Sequence, residues 1–114
     1  MLNRCSYRAA LTGGRFLLLE ARVALIASGG LSHFVIDEAL DAVVLDGLRK
    51  GELTSITALA ESVFQSGTSE IKNWIPLAAA MIELGIPAHV VDYVPCYRSL
   101  AGTGNAMGFA YWRK

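Results

Sequence analysis

The chain has little cysteine, no excess of either charge and no apolar run long enough to cross a bilayer. Each shortage excludes a class of protein. The two cysteines, Cys5 and Cys96, lie far apart and make neither a CxxC pair nor a disulfide framework. A reducing, cytoplasmic setting is the expectation that follows. Ten basic residues balance ten acidic ones, with no run of either sign, so the sequence offers neither a nucleic-acid groove nor a polybasic membrane patch. Arg4, Arg8 and Arg15 ahead of Phe16-Leu17-Leu18-Leu19 faintly imitate a signal peptide. Glu20 and Arg22 interrupt that stretch, however, and no small-residue cleavage pattern follows. The same two charges argue against a membrane-spanning helix, which needs about 20 consecutive apolar residues. Internal repeats and low-complexity tracts are missing as well. Gly102, Gly104 and Gly108 do not follow a strand into a helix with phosphate-loop spacing, which weakens a nucleotide reading.

What is present is apolar and short. With 114 residues, 54% of them hydrophobic, and a mean hydropathy of +0.42, the chain has room for one small domain whose apolar residues are hard to hide. Either the core is strong or part of the surface expects a partner. Residues 1–21 show no clear period and read as a loose or partly helical lead-in. Residues 22–28 read as a strand buried on both faces, with Val23, Leu25 and Ile26 between small alanines. Asp37 offers an N-cap to a helix carrying Leu40, Val43, Val44 and Leu48 as far as Lys50, and Gly51 stops it.

A second amphipathic stretch places Leu53, Ile56, Ala60, Val63 and Phe64 on one face. Residues 65–68 form a loop, and Ser69 is placed to cap a helix from Glu70 to about Leu84, with Pro76 inside it. Residues 88–94 read as a strand closed by Pro95. Residues 101–108 read as a flexible glycine-rich tail, and Phe109 to Trp112 as a short last strand. The order strand–helix–helix–helix–strand predicts an α/β layer.

The candidate chemistry begins where Ala27-Ser28 meets Gly29-Gly30 and His33 follows three residues later. A glycine pair permits a sharp turn, and imidazole trades protons near neutral pH. Two readings stand for His33: a turn histidine that bonds locally, or a proton-transfer group at the end of a strand. Glu70 stands where the polar loop Ser66-Gly67-Thr68-Ser69 meets the apolar helix residues Ile71, Trp74 and Ile75. A carboxylate there suits the helix dipole, and it also suits a metal ligand on a rigid support. His89, between Ala88 and Val90, reads as a packing or edge histidine. Asp37, Glu38 and Asp41 read as capping and solvated charge, and Met81 and Met107 as core filler.

Three separated motifs carry a family likeness: Ala27-Ser28-Gly29-Gly30-Leu31-Ser32-His33-Phe34, then Ser66-Gly67-Thr68-Ser69-Glu70-Ile71-Lys72-Asn73-Trp74, then Asp92-Tyr93-Val94-Pro95. In this order they resemble the C-terminal part of the class III extradiol ring-cleavage dioxygenases. These are relatives of the catalytic subunit of protocatechuate 4,5-dioxygenase, and include gallate and methylgallate dioxygenases. The resemblance runs from about Arg22 to Arg113; residues 1–21 do not share it.

The resemblance implies a non-haem Fe(II) enzyme of aromatic catabolism that opens a catecholic acid with O2. Its metal is held by two histidines and one carboxylate. His33 matches the family's acid/base histidine, and Glu70 its carboxylate ligand. Tyr97 and Arg98 fall in a segment that resembles the substrate-contacting one. One departure stands out. The family's two metal-binding histidines lie upstream of the Gly-Gly–His element, whereas none of the 32 residues before His33 is a histidine. His89 lies in the wrong context to replace them. The expectation is therefore a C-terminal portion that needs its N-terminal half or an oligomeric partner to work. The alternatives are an inactive remnant, or an unrelated interaction module.

Overall fold

A carboxylate ahead of a run of helix formers sets the first long helix of the computed structural model, which describes residues 7–11, 15–19 and 24–114. Asp37 Oδ1 accepts the Leu40 N–H at 3.0 Å, and α1 runs Glu38–Lys50. Gly51 ends it in the left-handed region at φ 69°, where its N–H reaches back to the carbonyls of Gly47 and Leu48. Acidic Glu38 and Asp41 lie in the first turn and basic Arg49 and Lys50 in the last, matching the helix dipole at both ends. Both boundaries agree with the sequence reading.

The second amphipathic stretch is more broken than its spacing predicts. It holds only a four-residue helix, α2 (Thr54–Thr57), and a 3-10 turn at Glu61–Phe64. Ile56 and Phe64 are buried and Leu53 and Val63 half-buried, but Ala60 is exposed. A second 3-10 turn, Ser66–Thr68, occupies the expected loop. Helix α3 then runs Ile71–Glu83 with Pro76 inside it, and Gly85 follows at φ 68°. Ser69 does not cap it. Glu70 holds the cap position, and no side chain caps the end.

Strands β1 (Tyr7–Leu11) and β2 (Arg15–Leu19) pair antiparallel, so the described part of the lead-in is extended rather than helical. A second, three-stranded sheet contains β3 (His33–Val35), β4 (Ala88–Tyr97) and β5 (Thr103–Trp112), in the order β3-β5-β4 and antiparallel throughout. The stretch expected to be flexible is thus the central strand. Its glycines make that possible: a Cβ on Gly108 would press on Leu31 at 2.9 Å and on Trp74 at 3.4 Å. Small residues on β5 let the helices lie close to the sheet. Pro95 sits within β4 instead of closing it, which an edge strand tolerates because its proline needs no second ladder partner.

The run read as a buried strand is corrected most. Val23 and Arg22 lie outside the described residues, and 24–28 have no regular structure. Leu25 is 46% and Ile26 85% exposed. Apolar composition alone cannot distinguish a buried strand from an exposed apolar segment. The core forms on the helix side of the second sheet, from Leu31, Ile36, Leu40, Val44, Leu45, Leu48, Ile56, Phe64, Ile71, Trp74, Ala78 and Ala106. Among the described residues no helix is long and apolar enough to cross a membrane.

Candidate functional site

Three side chains at the start of α3 seize the glycine turn. Glu70 Oε2 accepts the Gly30 N–H at 2.9 Å, Asn73 Nδ2 donates to the Ser28 carbonyl at 2.7 Å, and Trp74 Nε1 donates to the Gly29 carbonyl at 3.0 Å. These bonds take the place of a strand ladder. Gly29 has φ 127°, and a Cβ there would meet the Glu70 carboxylate at 2.9 Å. The turn therefore needs glycine for its conformation and for its closeness to Glu70.

His33 opens β3 opposite Asn105 of β5. Its Nδ1 lies 3.2 Å from the Leu31 carbonyl, and its ring meets Phe34 edge-on with centroids 5.0 Å apart. Phe34 is exposed and has φ 68°, a conformation that costs a non-glycine residue about 1–3 kcal/mol and that collects at functional sites. On the other side, Gly67 is buried against the His33 backbone. The polar loop and the histidine strand are thus packed together.

An open groove of about 380 Å³ results, lined by Gly30, His33, Phe34, Glu70, Arg98, Gly104 and Asn105. Its volume lies in the range of small-molecule sites. A smaller cleft of about 110 Å³, between Leu48, Ala78, Ile86 and Trp112, has no carboxylate or imidazole in its lining. The structure brings His33, Glu70 and Arg98 to one groove. Tyr97 is not part of it. Its hydroxyl donates to Glu38 Oε2 at 2.5 Å, an anchor of β4 to α1. That bond, and then burial, raise the pKa of Tyr97.

His89 is exposed at the opposite end of the sheet, stacked on Tyr111 at 5.0 Å. Along β5 the partners of His33 and His89, Asn105 and Tyr111, are six residue steps apart, about 20 Å. His89 therefore cannot share an ion with Glu70. Among the described residues no three His, Cys, Asp or Glu side chains come together as a metal-holding group. The groove provides one carboxylate and one imidazole, and the Nδ1 of that imidazole already faces a carbonyl. By themselves these residues do not fit a ferrous centre, which needs more ligands.

Two polar residues near the groove escaped the sequence reading. Asn105 lay in the presumed tail. Asp41, read as solvated charge, is 0% exposed. It accepts from the Ser32 N–H at 2.9 Å, the Ser32 hydroxyl at 2.6 Å and the Tyr93 hydroxyl at 2.6 Å. The signal was available: position 41 lies three and four residues before Val44 and Leu45, on the buried face of α1.

Burial, the hydrogen bond to Asp41 and the charges of Asp41 and Glu38 push the Tyr93 pKa well above the phenol range. Because the folded value is raised, this stabilisation is complete below the unfolded value of about 10 and is lost as pH rises through and beyond it. Urea midpoints measured on either side of that pH should fall steeply for the wild type. Tyr93→Phe should start lower and lose less over the same interval.

Comparison of the chain with family models, with curated proteins and with solved structures finds no match. Among the described residues it is an α/β domain with a small three-stranded antiparallel sheet, a separate strand pair and three α-helices, and it carries a polar groove.

Proposed function

We propose that this chain is the C-terminal part of an extradiol ring-cleavage dioxygenase domain acting on a catecholic aromatic acid. One observation carries the reading: His33 and Glu70, from separate motifs of the resemblance, line the same groove. Arg98 adds a cation to that lining, and among the described residues it forms no ion pair. A planar guanidinium suits a carboxylate substituent on the substrate. Phe34 gives the ring an apolar neighbour, and the Asn105 amide supplies a polar one.

In this assignment His33 takes a hydroxyl proton from the catechol and returns one during ring opening. Glu70 would be the carboxylate member of an iron site only if another polypeptide or a partner subunit supplied the imidazoles. Since the ligand set is incomplete here, no step is assigned to iron.

The substrate class is tested by binding alone. Protocatechuate should bind the isolated chain saturably. Arg98→Ala should weaken it roughly tenfold, the worth of about one charge-assisted hydrogen bond at an open site. Catechol, which lacks the carboxylate, should bind both proteins alike. Equal losses for the two ligands, or no saturable binding, would remove Arg98 and the acid from the reading.

A further inference from the structure

Ser32 and Asp41 are the buried polar side chains among the described residues, both 0% exposed, and Asp41 is bonded to Ser32, the residue before His33. Asp41 receives three donors and belongs to neither ion pair found among the described residues. Burying a carboxylate without a cation is costly, and three donors only partly offset the cost. Neighbouring positions on the same helix face carry leucine and valine, so packing alone does not call for an acid at position 41.

The acid immobilises the backbone that precedes His33. Its two oxygens hold the N–H and the hydroxyl of Ser32, and that hydroxyl accepts the Asp37 N–H at 2.8 Å. Leu31 N–H donates to the Ala106 carbonyl at 3.0 Å, and Ala106 N–H donates to the Ser32 carbonyl at 2.8 Å. The Leu31 carbonyl is consequently fixed in space, 3.2 Å from His33 Nδ1. A carbonyl only accepts, so Nδ1 must be the donor. In the neutral ring this leaves Nε2 bare.

We propose that Asp41 is a positioning residue: through Ser32 it holds the Leu31 carbonyl so that neutral His33 carries its proton on Nδ1 and offers Nε2 as the base. The catalytic meaning of that atom rests on the acid/base reading of His33, whereas the tautomer itself does not. Free histidine favours the opposite form, with the proton on Nε2. The clamp therefore reverses an intrinsic preference, and its effect can be seen without turnover.

Nitrogen-15 NMR of the full chain with labelled histidine reads the tautomer directly, above about pH 8 where imidazole is neutral. The chain has two histidines, His33 and His89. His33→Gln assigns their signals, and exposed His89 serves as the internal reference. The wild type should show His33 mainly as the Nδ1–H form. Asp41→Asn and Ser32→Ala should each shift the majority to Nε2–H while leaving His89 unchanged. If Asp41→Asn fails to fold, Ser32→Ala decides the matter, because it keeps the Ser32 N–H bond to the acid. A wild-type Nε2–H majority would overturn the proposal, and so would folded variants with an unchanged tautomer. Failure of protocatechuate to bind would leave the tautomer result intact, so the two readings fail separately.

Discussion

Replacing Gly67 by alanine should cost about 3 kcal/mol, the upper end for forcing an extra methyl into a packed site. A Cβ at this buried position would fall on the His33 carbonyl oxygen, and would stand 3.0 Å from the carbonyl carbon and 3.0 Å from Phe34 Cδ2. The chief obstacle is backbone, which cannot swing aside as the end of a side chain can. The loop before Glu70 would have to back away from β3, carrying the carboxylate from the histidine. Gly51 and Gly85 supply the comparison: both have left-handed φ, 69° and 68°, with nothing within 4 Å of a Cβ. Alanine at either should cost only about 1–2 kcal/mol of backbone strain. Urea midpoints of the three variants separate these cases. A Gly67→Ala protein no less stable than Gly51→Ala would mean that the loop and β3 are not in close contact.

Trp74→Ala should be more damaging, at about 4 kcal/mol. The indole is 5% exposed, lies against Gly108 of the central strand and donates to the Gly29 carbonyl at 3.0 Å. One side chain thus belongs to the core and to the wall of the site. For a small domain with a total stability of about 5–15 kcal/mol, roughly a quarter or more would be lost. Trp74→Phe keeps most of the apolar volume and gives up the bond to the turn, so it should cost about 1–2 kcal/mol. Denaturant unfolding of the two variants separates packing from anchoring. Similar losses in both would assign the main role to the hydrogen bond.

The nearness of His33 to Glu70 was more legible in the sequence than the fold around them, and the reason is physical. Asp37 and Gly51 mark α1 because cap chemistry acts over three or four residues, within reach of a local reading. Glu70 and His33 stood out because polar residues beside glycine turns and apolar helices are unusual company. The strand expected at 22–28 failed in its described part because a strand is defined by its neighbour. Here α3 side chains, and not another strand, take up the Ser28 and Gly29 carbonyls. The central strand β5 was hidden by its own glycines. Such residues suggest flexibility in isolation, but under a helix layer they permit close packing. Asp41 was missed because its helical position was weighed by charge and not by face. Tyr97 was placed in the site with its neighbour Arg98, yet Tyr97 is the last residue of β4 and turns toward α1, while Arg98 lies past the strand and lines the groove.

The most direct test of the account is the footprint of protocatechuate on the amide and imidazole signals of the labelled chain. The account predicts saturable shifts at Gly30, Phe34, Gly104 and Asn105 and on the His33 ring, with the amide of Arg98 among them. A footprint confined to the cleft of Leu48, Ala78 and Trp112, or none at all, would contradict it.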